Sequence, residues 1–105
     1  MNAVVYEVSA DVDAAIREDY LRWLGPHVAE ILALPGFARA DVFEVVDPAS
    51  PDTLRVCMHY HLVDEAALQA YLREHAPRLR ADGIARFGGR MRAQRRVMRA
   101  LDLAR

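Results

Sequence analysis

The sequence predicts an α+β domain of order strand–helix–strand–strand–helix–strand: a four-stranded antiparallel sheet with two helices on one face. Three observations carry this. Short β-branched and aromatic runs alternate with long segments in which apolar residues recur at helical spacing. Pro/Gly/Ser/Asp clusters separate them. The 105 residues suffice for one domain, 1–105, that buries roughly 60–70% of its unfolded surface.

Val4, Val5, Tyr6 and Val8 predict strand one, about 3–9. Asp11 and Asp13 follow as helix-capping candidates. Ile16, Tyr20, Trp23, His27 and Ile31 then mark helix one, to about Leu34. Pro26 cannot donate to the Arg22 carbonyl, so a kink or break is expected at Gly25-Pro26. Pro35-Gly36 ends the helix.

Strand two spans 37–47. Pro48, Ser50, Pro51 and Asp52 make a turn, and strand three spans 53–62. Asp64 caps helix two, marked by Leu68, Tyr71, Leu72 and Leu79, which bends or restarts at Pro77. Alternation of Met91, Ala93 and Val97 with arginines makes 90–101 the last strand. Trp23-Leu24-Gly25-Pro26-His27 and Tyr71-Leu72-Arg73-Glu74-His75 echo one another as aromatic–Leu–x–x–His.

Alternation gives each strand two faces. Val4, Tyr6, Val8 and Leu54, Val56, Met58, Tyr60, Leu62 are expected to meet the helices. The other face carries Val5, Glu7, Arg55, Cys57, His59 and His61. Strand two adds Phe37, Phe43 and Val45 to it. A mixed apolar face of this kind calls for a partner, and a second copy is the simplest.

Apolar residues are 53% of the chain and charged residues 28%, a globular composition. The net charge of −1 offers neither nucleic acid nor an anionic membrane a general attraction. All 14 basic residues are arginine. Those at 90, 92, 95, 96 and 99 read as a salt-bridged strand, since no aromatic is interleaved. Cys57 is the only cysteine, so no internal disulfide forms. It reads as a structural thiol in a cytoplasmic protein. No basic leader precedes an apolar run, and no window of about 18 apolar residues exists for a membrane span.

Val4–Val8 (VVYEV), YLRWL, LALPGF and YLREHAPRLRADGIARFGGR together resemble a small bacterial family of unknown function within the dimeric α+β barrel superfamily. The likeness spans nearly the whole chain and is most specific from Tyr71 to Arg90. It implies a ferredoxin-like fold whose sheets pack face to face in a homodimer. Relatives include cofactor-independent monooxygenases, haem-degrading monooxygenases and isomerases. No catalytic set of theirs carries over.

The residues themselves nominate a cleft between helices and sheet. His27 and His75 each follow an aromatic by four positions and share its helix face. With Trp23 they would border a floor that includes Tyr6 and Tyr60, a mostly aromatic ligand site with few polar groups. There a histidine could act as general base, or else both histidines satisfy backbone beside Pro26 and Pro77. His59 and His61 with Glu7 form a conceivable metal set, read here as interface polarity with no metal and no cofactor. The leading reading is a homodimeric domain binding a small aromatic or apolar molecule. A cofactor-independent monooxygenase or isomerase, and a dimerisation module without ligand, are the alternatives.

Overall fold

In a computed structural model, which describes residues 3–103, all four strands form one antiparallel sheet of order β2-β3-β1-β4. The elements are β1 (Val4–Asp13), α1 (Arg17–Leu32), β2 (Phe37–Glu44), β3 (Thr53–Leu62), α2 (Glu65–Glu74), α3 (Ala76–Phe87) and β4 (Met91–Arg99). This is the ferredoxin-like arrangement the sequence implied, with the second helical segment in two pieces.

Alternation sets the sheet as expected. Leu54, Val56, Met58, Tyr60 and Leu62 are all buried against the helices, while the intervening residues of β3 are half-exposed. Val4, Tyr6, Ala10 and Val12 of β1 join them, and α1 contributes Tyr20, Leu24 and Ile31. Burying side chains of this size stabilises by roughly 1.5–3 kcal/mol each before entropy is counted.

Four local expectations change. β1 runs to Asp13, and Asp11 and Asp13 do not cap a helix. On the open sheet face they meet Arg55 (3.7 Å) and Arg90 (3.8 Å) instead, pairings available only if the strand continues. Of the kink or break expected at Gly25-Pro26, the break does not occur. α1 passes through Pro26 because its buried Tyr20, Leu24 and Ile31 fix both halves on the sheet and outweigh one lost hydrogen bond. Phe37 lies on the helix face, not the open face. A register shift between Phe37 and Arg39 inserts one extra residue and reverses the alternation upstream. Strand two ends at Glu44, short of the expected 47.

Other local signals act as read. Asp64 Oδ1 accepts from the Ala67 N–H at 2.9 Å, capping α2. The chain breaks at His75 (φ −128°, ψ −35°), and Pro77 sits in the first turn of α3, where its missing N–H does no harm. Gly36 has φ +89°, and a Cβ there would lie 2.4 Å from that of Ala67. Only glycine permits this turn and this approach of α2.

Candidate functional site

Small residues open the space for a cleft. Ala10 of β1 pairs opposite Ala93 of β4, and Gly83 of α3 faces them across the layer. With no bulk at these three places, helices and sheet leave a narrow cleft with about 50 Å³ of interior space, open at its mouth. Aromatic rings make its walls. Tyr6 and Tyr60, cross-strand partners, lie 6.2 Å apart, and Tyr71 of α2 meets Tyr6 edge-on at 5.9 Å. On α1, Trp23 contacts Tyr20 at 5.8 Å and stacks on His27 at 4.2 Å with 23° between planes. Phe37 buttresses Tyr60 and Tyr71 from behind.

Tyr6, Trp23, His27 and Tyr60 therefore line one cleft, as their spacing predicts. His75 does not join them. The α2–α3 break falls on it, removing it from the continuous helix that the i, i+4 argument assumed. Its Nδ1 lies 3.4 Å from Arg78 Nη2 at the surface.

The polar groups of the cleft are few. His27 Nδ1 is buried without a hydrogen-bond partner among the described residues. Burial lowers the His27 pKa, against the opposing pull of Asp82 and Glu30, so the imidazole is held neutral. Tyr20 and Tyr71 are pushed up to about 12 by burial, and burial raises Tyr60 as well, so these hydroxyls keep their protons. Arg80 Nη2 donates to the Tyr6 hydroxyl at 2.8 Å, and Trp23 Nε1 donates to Asp82 Oδ2 at 3.3 Å. Among the described residues, no serine, threonine or cysteine lines the cleft. The arrangement can stack planar molecules, accept a proton at His27 and donate hydrogen bonds from tyrosines.

Arg80 and Arg95 also line the cleft, and sequence reasoning missed both as site residues. Arg95 was absorbed into the arginine-rich strand. Its position opposite Val8 of β1, on the helix face, was the available signal.

The open face of the sheet holds a second cluster. Glu7, Cys57 and His59 bring one ligand atom each within 4.8 Å of one another. His61, expected in that set, is 3.0 Å from Asp41 Oδ2 instead, because β2 sets Asp41 beside β3. His59 Nε2 is 2.8 Å from Glu7 Oε2, and Arg96 Nε donates to Glu7 Oε1 at 2.5 Å. Arg96 above all, with His59, holds the Glu7 carboxyl below its usual pKa against the effect of burial, whereas burial pushes the Cys57 thiol up. The trio has metal-ligand chemistry, but Arg96 already neutralises its carboxylate.

Comparison with known proteins agrees with the fold. No curated protein matches in sequence. Among solved structures, a dimeric ferredoxin-like protein from an uncultured marine organism superposes with a TM-score of 0.78 at 11% identity, covering 97% of this chain and 98% of that one. SnoaB, a cofactor-independent oxygenase from Streptomyces nogalater, gives 0.69 at 14% identity, again over 97% and 98%. A conserved protein from Methanosarcina mazei gives 0.71 at 15%, over 96% and 95%. At such identities these likenesses establish fold alone. Residues 3–101 match the family described as a domain of unknown function, DUF4286, and the chain belongs to that family.

Proposed function

We propose that this single domain works as a homodimer that takes a small aromatic or apolar molecule into the helix–sheet cleft. The observation that carries the reading is the unpartnered, buried Nδ1 of a neutral His27 inside a wall of aromatic rings. A buried polar atom without a partner costs about 1–3 kcal/mol, which a ligand hydrogen bond would recover.

The dimer rests on the open sheet face. It exposes Phe43 to 50% and yet encloses Glu7, a mixture suited to a protein contact and poorly suited to water. The dimeric ferredoxin-like relative supports the same reading. Nucleic acid is not the expected partner, since Arg90, Arg96 and Arg99 are each paired with a carboxylate. No described helix is long and apolar enough to cross a membrane, and a cytoplasmic location is part of the proposal.

A second reading, a cofactor-independent monooxygenase or isomerase, is favoured by the likeness to SnoaB and by His27, whose neutral form could take a proton from a bound phenol or carbon acid.

Native mass spectrometry of protein purified from its own host tests the proposal. The expected species has twice the 11.8 kDa chain mass and carries a small organic adduct. A monomer refutes the dimer. A dimer that stays bare, with aromatic probes failing to bind, leaves a dimerisation module.

A further inference from the structure

We infer that the cleft selects an aromatic molecule bearing a carboxylate or comparable oxyanion, held by Arg80 and Arg95. This rests on the proposed function and names the ligand class for the same cleft.

The arginines sort into two groups. Arg17, Arg22, Arg39, Arg55, Arg73, Arg78, Arg90, Arg96 and Arg99 each lie within salt-bridge distance of a carboxylate. Arg80, Arg86, Arg92 and Arg95 have no carboxylate partner among the described residues; of these four only Arg80 and Arg95 line the cleft, and no aspartate or glutamate lines it with them. Asp82 is the nearby acid on α3, and it accepts from Trp23 Nε1.

Arg80 is half-buried and already oriented. One Nη2 hydrogen is fixed on the Tyr6 hydroxyl, while its Nε is buried without a partner among the described residues. An unmet guanidinium N–H in an enclosed space is a fork waiting for a planar oxyanion, the group that arginine binds bidentately. Both Arg80 and Arg95 lie close enough to Tyr71 to favour its ionised form, which places positive potential at the ring wall. At the other side of the cleft stands the neutral ring of His27, stacked on Trp23. An aromatic body between the rings with its oxyanion toward Arg80 and Arg95 satisfies the guanidinium and leaves the far end of the ring system beside His27, where a second polar substituent would meet Nδ1.

The test compares 2-naphthoate with 2-naphthamide, which has nearly the same shape and no charge. Binding is followed by NMR at the indole N–H of Trp23, the only tryptophan of the chain. The expected result is that naphthoate binds at least about tenfold more tightly, as one charge-assisted hydrogen bond implies. Added salt should narrow that gap. Arg80→Gln and, separately, Arg95→Gln should abolish the preference while naphthamide binding stays as it was. Arg95 is exposed, so its variant keeps the test valid if Arg80→Gln disturbs Tyr6 and folding. Equal binding of the two probes, or a preference that survives both substitutions, overturns the inference and leaves the proposed function standing. Failure of both probes to bind overturns the two together.

Discussion

Replacing Gly36 by alanine should destabilise the protein strongly, and the amount follows from two independent effects. The backbone at Gly36 has φ +89°, where an L-residue is strained by about 1–2 kcal/mol. The new Cβ would lie 2.4 Å from Ala67 Cβ, where carbon atoms need about 3.5–4.0 Å. Moving α2 away by the missing distance is an overpacking effect of about 1–3 kcal/mol. The sum is about 2–5 kcal/mol, and at roughly 4–8 °C per kcal/mol the melting temperature should fall by at least about 8 °C. Circular dichroism during heating measures it. Ala67→Gly separates the two effects. It removes the contacted methyl at about 1 kcal/mol of helix propensity. In the double variant only the φ strain should remain from Gly36→Ala, giving a coupling of about 1–3 kcal/mol in the cycle. Since Phe37, next in sequence, packs 5.1 Å from Tyr71, the single variant should also loosen the aromatic wall of the cleft. A melting temperature within about 3 °C of the parent, or zero coupling to Ala67→Gly, would refute the argument.

Three further outcomes are expected. His27→Ala removes a ring stacked on Trp23 but no hydrogen bond to any other described residue, so it should lose only about 0.5–1.5 kcal/mol of stability while weakening binding of aromatic probes. A loss above about 3 kcal/mol with probe binding intact would make His27 scaffold. Stability should fall on the acid side in two stages. The lowered His27 pKa means its contribution is complete above the ordinary value near 6.5 and is lost as pH falls through the folded value. The lowered Glu7 pKa adds a second loss beginning below the ordinary 4.5. Urea titrations at stepped pH check this, and His27→Ala should erase the first stage. Gly83→Ala should hold or raise stability, because helix propensity gains about 1 kcal/mol. Its Cβ would sit 3.3 Å from Trp23 Cη2 and from the mobile end of Met91, narrowing the cleft, so probe affinity measured by calorimetry should drop.

The sheet was legible because alternation is a local property: every second residue of β3 from Leu54 to Leu62 is buried, as its pattern implies. Phe37 was placed on the wrong face because one inserted residue reverses the alternation and leaves no mark in composition. Asp11 and Asp13 look like caps in isolation. Only the paired strands show that arginines across the sheet claim them. Half of the cleft was readable from helical spacing, which put Trp23 and His27 on one face. The same rule failed at His75 because a chain break restarts the phase. Arg80 and Arg95 stayed hidden for a different reason. In a chain whose every lysine-or-arginine cation is arginine, the informative fact is which arginines both lack a carboxylate and line the cleft, and that is a property of the folded state.

The central claim is that the cleft, and not the open sheet face, receives the small molecule. An NMR screen of fused-ring aromatic fragments, with backbone amides and the Trp23 indole assigned, tests it most directly. Binding fragments should shift the Trp23 indole N–H together with the amides of Gly83 and Ala93, which border the cleft from three different elements. Shifts confined to the open face around Phe43, Cys57 and His59, or no shift at any of the three cleft positions, would contradict it.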